Sequence, residues 1–273
     1  MLPFFRKIRY RLAKDNQFLK YSRYAVGEIV LVVVGILIAL QINNWNEARK
    51  KTNTEIEYLI RLRSDLANDT AYYHRRIKYS DKVITDHKKA VEISYTEIKS
   101  PQDFSESFKD LELSSEALSI RDITYNEMLN AGQINIIRND TIRTEILEFY
   151  RQVDLVNKHF EEVNATSIEF MKDFFIQSKS FKQFWLNNEM RPWSDEMIED
   201  SVDWQWINDP ESESFKSFHF TLGFYSMKQN MFKGYFEDLD DKSKFLIEEI
   251  EKELTNRSIG VPEPNIEPVF VLE

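Results

Sequence analysis

The apolar residues of this chain follow two different patterns, and the first is a nearly continuous run. Residues 27–45 read "GEIVLVVVGILIALQINNW", and the strictly apolar part covers residues 29–40. The 22 residues from Tyr24 to Trp45 would measure about 33 Å as a helix, which matches a bilayer core of about 30 Å. Tyr21 and Tyr24 at one end and Trp45 at the other fit aromatic belts. The run therefore predicts a transmembrane helix over residues 24–45.

The second pattern begins near residue 46, where apolar residues recur every three or four positions, as on a helix with one buried face. The first such stretch continues to about Ile98 and ends before Pro101. Its apolar face is predicted from Ile56, Leu59, Leu66, Tyr73, Ile77, Ile84 and Val91. The membrane helix is therefore expected to continue directly into the body.

Three further helices follow from the same spacing together with local start and stop signals. One covers residues 115–131, with Gly132 as its C-terminal stop. The next covers residues 140–177, with Asn139 or Asp140 as its cap. The last begins with Asp209 as cap and Pro210 at the first helical position, and extends to about residue 254, weakened near Gly223 and Gly234.

Together these elements predict an all-α fold: an N-terminal transmembrane helix that continues into an elongated antiparallel bundle of three to four long helices. The chain has only 6 Gly and 7 Pro in 273 residues, which favours long uninterrupted helices. We divide it into a leader (1–23), the membrane helix (24–45), a bundle domain (46–255) and a Pro-containing extended tail (256–273). Within the bundle domain, residues 178–209 form an aromatic-rich crossover.

The charge of the chain is divided unevenly about the apolar run. Residues 1–24 contain seven basic residues and one acidic residue, a net charge of +6, so residues 25–273 carry −16 of the total of −10. The basic leader places the N-terminus in the cytoplasm, where it could lie on the anionic inner leaflet as an amphipathic helix, and the body in the periplasm. The basic residues Arg49, Lys50 and Lys51, just after the run, oppose this orientation. The acidic body disfavours nucleic acid as a partner.

A cleaved signal peptide is the alternative for this region, because a basic segment before an apolar one is its signature. Here the basic segment is long, and no cleavage site between small residues follows the apolar one. We therefore predict an uncleaved signal-anchor of the bacterial inner membrane.

One face of the predicted membrane helix carries Glu28, Gly35, Ala39 and Ile42, since steps of seven, four and three stay in register. Gly35 and Ala39 form a small-xxx-small pair, which lets two helices approach closely, and an ionisable residue inside a membrane is often functional. The alternative is that Glu28 reaches the interface beside Arg23 and that the small residues are incidental.

The stretch "FFRKIRYRLAKDNQFLKYSRYAVGEIVLVVVGILIALQINNWNEARK", residues 4–50, resembles the N-terminus of a family of uncharacterised bacterial membrane proteins that is known only as a domain of unknown function. A second block that resembles this family is "TYNEMLNAGQINIIRNDTIRTEILEFY", residues 124–150. The resemblance implies a single-span inner-membrane protein with a helical body, and it supplies no activity. It also implies that Glu28, Gln41, Asn43, Asn44 and Trp45 form a recurring motif.

Residue patterns that carry known chemistry are not found in this sequence. The chain has no cysteine, and its four histidines lie in neither an H-E-x-x-H nor a Glu-x-x-His pattern. No glycine loop or nucleophile elbow is present. Acidic pairs such as Glu161/Glu162 are expected among 46 acidic residues. We therefore predict no enzyme, no cofactor and no metal site.

The best candidate surface in the body is the aromatic-rich crossover, where Trp and Arg are the residue types that interfaces favour. Its candidate residues are Trp185, Arg191, Trp193, Trp204 and Trp206. The alternative is that the crossover packs its aromatic side chains over one end of the bundle. The membrane candidates are Glu28, Gly35, Ala39, Gln41, Asn43 and Trp45.

The function that these observations favour is binding or scaffolding by a membrane-anchored helical bundle, as a sensor-like protein or a subunit of a complex. The expected partners are the lipid bilayer and either a second copy of the chain or another membrane protein. The alternative is an oligomeric channel or transport component whose membrane helices line the path, with Glu28 near its inner mouth.

Overall fold

The structure, a computed structural model, describes residues 10, 18–184, 186, 191–199, 204–264 and 266, and for residues 18–21, 23 and 199 it describes the backbone only. Most of the predicted amphipathic leader, residues 1–23, therefore lies outside the described residues. So does the end of the predicted tail.

The described residues form helices joined by turns and irregular segments, with no strand among them. In chain order the helices are α1 (Phe18–Ser94), α2 (Pro101–Ser107), α3 (Ile123–Asn130), α4 (Asp140–Ser178), α5 (Phe181–Phe184), α6 (Asp195–Glu199) and α7 (Glu213–Asn256). Two 3₁₀ turns cover Ile134–Ile136 and Gln205–Asn208. The prediction of an all-α fold with three long helices is confirmed by α1, α4 and α7.

The chain forms two compact units, one that ends at Glu57 and one that begins at Tyr58, and α1 contributes to both. The first unit contains the apolar run. By length and composition its helix can cross a membrane, and none of its most apolar window is buried inside the protein.

In the second unit α7 packs antiparallel to α1 and to α4. Along α1 the partners on α7 run in the opposite direction: Arg63 Nε lies 2.5 Å from Glu251, Ser80 3.1 Å from Gln229, and Ser94 2.8 Å from His219. Along α4 the ring of Phe160 stacks on Phe232 at 3.6 Å, and the ring of Phe174 lies 5.5 Å from Phe218. The core lies between the three helices.

Of the predicted caps and stops at Asn139, Gly132 and Asp209, two are confirmed and one is wrong. Asn139 caps α4 as predicted, since its side chain accepts hydrogen bonds from Thr141 and Ile142 N–H. Gly132 has the positive φ of 64° that ends α3. The prediction that Asp209 caps α7 is wrong: Ser212 accepts the N–H of Phe215, while Asp209 accepts that of Glu211 in the preceding turn.

The predicted weakening of α7 near Gly223 and Gly234 is also wrong, because α7 is one continuous helix. Buried side chains next to each glycine, Leu222 and Phe232 among them, pack against the neighbouring helices. Tertiary packing of this kind outweighs the low helix propensity of a single glycine. Pro101 does not end α1 directly, since α1 ends at Ser94 and Pro101 begins α2.

The predicted helix over residues 115–131 is wrong in its first half. Only α3 is helical, and residues 111–122, which we call the strap, have no regular secondary structure. Side chains from other elements take the hydrogen bonds that a helix would satisfy internally: Tyr72 accepts the N–H of Ser119, and Asn164 donates to the carbonyl of Glu116. Tertiary contacts therefore supply the strap with hydrogen bonds that a helix would have formed within its own backbone.

The strap runs antiparallel to α1, since Glu116 pairs with Arg76 and Arg121 N–H bonds Asp69. In chain order α1, the strap with α3, α4 and α7 thus alternate in direction. The strap occupies the position that the second helix has in an up-down-up-down four-helix bundle.

The predicted core face of α1 is correct at Leu59, Leu66 and Tyr73, all buried, and drifts beyond them. Ile56, Ile77, Ile84 and Val91 are only half-buried. The buried positions beyond Tyr73 include Ser80, Val83, His87 and Ala90. Ser80 and His87 are polar, so a search for apolar residues passes over them.

Candidate functional site

The predicted residues of the membrane helix all lie on the part of α1 that belongs to the first unit. Glu28 is half-buried, while Gly35, Ala39 and Gln41 are exposed. A Cβ added at Gly35 would have no atom within 4 Å. This face of the helix is therefore open to lipid or to another helix.

The polar end of the same stretch is organised by contacts along the helix. Asn43 donates a hydrogen bond to Glu47 at 3.0 Å. Trp45 is 64% exposed, and the guanidinium of Arg49 lies 6.0 Å from its ring centroid. An exposed tryptophan beside a cation is typical of the boundary between hydrocarbon and water.

The aromatic-rich crossover is divided by the structure into a buried part and a surface part. Trp204 is buried, and Trp206 packs against the rings of Phe104, Phe174 and Phe218 at 5.8, 5.7 and 5.5 Å. These contacts place both tryptophans in a hydrophobic cluster between α2, α4 and α7. Trp204 and Trp206 therefore agree with the alternative interpretation, in which the crossover packs its aromatic side chains over one end of the bundle.

Arg191 and Trp193 are both half-buried in the crossover. The ring of Trp193 contacts Phe181 edge-on at 6.0 Å, and the ammonium of Lys182 lies 5.9 Å from it. Arg191 donates to the carbonyl of Leu186 and pairs with Asp195. The remaining candidate, Trp185, lies outside the described residues, so a partner surface at Arg191 and Trp193 stays a prediction.

Comparison with protein families gives a match to a family of unknown function, DUF6090, over residues 28–204. This is more than half of the chain. The chain belongs to this family. No curated protein and no solved structure matches it significantly. The match agrees with the uncharacterised family that the resemblance implied, whereas the particular motifs of that resemblance stay a prediction. The "FFRKIR" leader lies outside the matched residues.

The matched residues of DUF6090 include a buried polar group on α1 that sequence reasoning missed. Asp69 is only 2% exposed; its Oδ1 accepts the N–H of Arg121 at 2.9 Å, and its buried Oδ2 has no partner among the described residues. Burial raises the pKa of the Asp69 carboxyl to about 8, outweighing the hydrogen bond from Arg121. This raised pKa favours the protonated carboxyl at neutral pH.

Three more buried polar atoms without a partner among the described residues lie at the same level of the bundle. They are Tyr73 Oη on α1 and Asp240 Oδ1 and Ser243 Oγ on α7. Burial, and then the charge of Asp69, raises the pKa of the Tyr73 hydroxyl well above its usual value. Each buried polar group without a partner costs about 1–3 kcal/mol, so this polar layer is an expensive feature of the core.

A second buried titratable group, Lys228 on α7, contacts the other end of the strap. Lys228 is 1% exposed. Its ammonium donates to the carbonyl of Ser114 at 2.9 Å and to Ser115 Oγ at 3.1 Å. The centroid of the Tyr225 ring lies 4.1 Å from the same ammonium. Burial lowers the pKa of the ammonium to about 8, against the opposing charges of Glu116 and Glu112.

The four histidines do not converge. His87 bonds Ser226 and the carbonyl of Glu112, and His219 bonds Ser94. His74 bonds Asp240 at 3.0 Å, and His159 bonds Tyr235 at 2.6 Å. Within the part of the chain that the structure describes, no group of three or more His, Asp or Glu side chains is placed to hold a metal ion.

The sequence did carry a signal for the buried polar groups. Asp69, Ser80, His87 and Ser94 continue the three-four spacing of Leu59, Leu62, Leu66 and Tyr73 on α1. Polar residues at core positions of an amphipathic helix point to buried hydrogen bonds or to function. An apolar-only count could not find them.

Proposed function

We propose that this DUF6090 protein is a single-pass protein of the bacterial inner membrane that acts by binding or scaffolding through its helical body, without catalysis. The observation that carries the proposal is the contrast between the two units: none of the most apolar window of α1 is buried, whereas the second unit has a core of buried apolar side chains. An exposed apolar helix of this length needs a bilayer or another apolar helix around it.

The proposed orientation places the N-terminus in the cytoplasm and the acidic body in the periplasm. It is supported by the net charge of +6 in residues 1–24 before the apolar run. The exposed Arg49, Lys50 and Lys51 after the run act in the opposite sense.

This orientation predicts the behaviour of reporters fused to the C-terminus. Alkaline phosphatase, which folds only in the periplasm, is expected to be active when it is fused to the C-terminus. Green fluorescent protein fused at the same point is expected to be dark, because it would be exported to the periplasm. The reverse pair of signals would contradict the orientation. Carbonate washing of the membranes checks separately that the full chain is integrally inserted, because a peripheral protein would be released.

We further propose that the face with Gly35 and Ala39 brings two copies of the chain together. Gly35→Ile is expected to abolish crosslinked oligomers in native membranes, because the added side chain would hold the two backbones apart. Val33→Ile, which adds one methylene group on the opposite face, is the control and should leave the crosslinks unchanged. Equal crosslinking of wild type and Gly35→Ile would exclude this face as the contact.

Substitution of Glu28 distinguishes the channel alternative from scaffolding. A scaffold predicts that Glu28→Gln leaves the ion permeability of the membrane unchanged, whereas a channel lined by this residue predicts an altered leak or conductance. Such a change would overturn the binding proposal, and so would an enzymatic activity that is lost when one carboxylate or histidine is replaced.

A further inference from the structure

The strap, residues 111–122, is held to the bundle almost entirely by side chains. Among the described residues, no backbone-to-backbone hydrogen bond links residues 112–120 to another segment. Its carbonyls accept instead from four side chains: His87 donates to Glu112, Lys228 to Ser114, Asn164 to Glu116 and Tyr150 to Arg121. Lys228 also donates to Ser115 Oγ. A segment of this kind can leave the bundle without breaking any helix.

The two ends of the strap are attached to buried ionisable groups on different helices. At one end the N–H of Arg121 donates to Asp69 on α1, at 2.9 Å. At the other end Lys228 on α7 donates to the carbonyl of Ser114, at 2.9 Å. Both side chains are almost fully buried.

We propose that the strap opens from the bundle as a unit and that the protonation of Asp69 and Lys228 controls this opening. When the strap leaves, water reaches both groups, so each returns to its ordinary ionisation. Opening is therefore coupled to the release of a proton by Asp69 and to the uptake of a proton by Lys228.

Other charged groups surround both sites. Asp69 faces Asp65 on its own helix, Arg121 and Asp122 on the strap, and the hydroxyls of Tyr73 and Tyr150. Asp240 on α7 reaches this layer through Tyr73. Lys228 faces Glu112 and Glu116 of the strap and His87 of α1. Burial raises the pKa of Asp69 and lowers that of Lys228 despite these neighbours.

The direction of the coupling differs between the two groups. The pKa of Asp69 is about 8 in the closed state against 3.8 ordinarily, so opening becomes easier as pH rises from about 4 to 8 and is unaffected above that. The pKa of Lys228 is about 8 in the closed state against 10.5 ordinarily, so opening becomes harder as pH rises from about 8 to 10. The strap is therefore held least firmly near pH 8.

Hydrogen exchange of the full-length protein in detergent tests the Asp69 end. After correction for intrinsic exchange, the protection of the Arg121 amide is expected to fall about tenfold per pH unit between pH 5.5 and 7.5. Asp69→Asn should remove this slope, while Asp81→Asn, an exposed ion-paired aspartate on the same helix, should keep it. Equal protection of Arg121 and the α4 amides at every pH would overturn independent opening. A slope that persists in Asp69→Asn would overturn control by this residue.

The Lys228 end is followed with a reporter thiol, since the chain has no cysteine of its own. Labelling of Leu118→Cys, corrected for thiolate ionisation, is expected to slow about tenfold per pH unit from pH 8.5 to 9.5. Adding Lys228→Met should abolish this slowing. If that double variant does not fold, the profile of Leu118→Cys alone decides: a labelling rate that is flat or rising over this range excludes Lys228 as a control group.

Discussion

Asp69→Asn is expected to stabilise the protein at neutral pH, by up to about 4 kcal/mol in the free energy of unfolding at pH 7. The carboxyl is 2% exposed and its pKa is raised by burial from 3.8 to about 8. Folding at pH 7 therefore requires Asp69 to take up a proton that it has lost in the unfolded chain. Asn has the same shape, can still accept the N–H of Arg121, and needs no proton.

The pH dependence provides the sharper form of this prediction. For a carboxyl whose pKa is raised on folding, the unfolded state binds fewer protons than the folded state between the two pKa values, so stability falls as pH rises. Wild type should thus lose about 1.4 kcal/mol per pH unit from pH 4.5 to 7.5 relative to Asp69→Asn. Above pH 8 the difference between the two proteins should be constant.

Chemical denaturation of both proteins across this pH range measures the effect. Asp81→Asn is the matched control, because Asp81 lies on the same helix with its side chain 56% exposed in a surface ion pair with Lys233, a contact worth about 1 kcal/mol or less. An Asp69→Asn variant that is less stable than wild type at pH 7 would show that Asp69 is ionised and favourably bonded in the folded protein.

Phe218→Ala is expected to lower the free energy of unfolding by about 3–5 kcal/mol, the usual cost of removing a fully buried phenylalanine. Phe218 is 0% exposed, and its ring lies 5.3 Å from Phe108, 5.5 Å from Phe174 and 5.5 Å from Trp206. The substitution would leave a cavity where α2, α4 and the crossover meet α7.

The control for this substitution lies two residues further along the same helix. Phe220 is 57% exposed, with its ring edge-on to Phe170 at 5.0 Å, so Phe220→Ala should cost about 1 kcal/mol or less. Near-equal losses for the two variants, measured by denaturant titration, would contradict the packing of the crossover onto this end of the bundle.

The long helices were predictable because their signals are local. The three-four spacing of Ile142, Ile146, Phe149 and Val153 reports a buried face without reference to any partner. The cap at Asn139 and the turn at Gly132 depend only on a few neighbouring residues. These parts of the fold required no knowledge of tertiary contacts.

The candidate sites were predictable only in part. The face of α1 that carries Gly35 and Ala39 follows from residue spacing, and the structure leaves both residues exposed. The crossover tryptophans look equivalent in the sequence, but Trp204 is buried and Trp193 is half-buried against Phe181. Composition reports that a segment is aromatic, and only packing decides which rings lie in the core.

By itself the sequence determined that this chain is helical, that one helix carries an apolar run long enough for a bilayer, and where α4 lies. These properties follow from the order of apolar and polar residues along a single helix. Only the tertiary structure decided that residues 111–122 form a strap rather than a helix, and that Asp69 and Lys228 are buried beneath it. The physical reason is that a backbone can exchange its internal hydrogen bonds for side chains such as Tyr72 and Asn164, which are distant in sequence and become neighbours only when the bundle assembles.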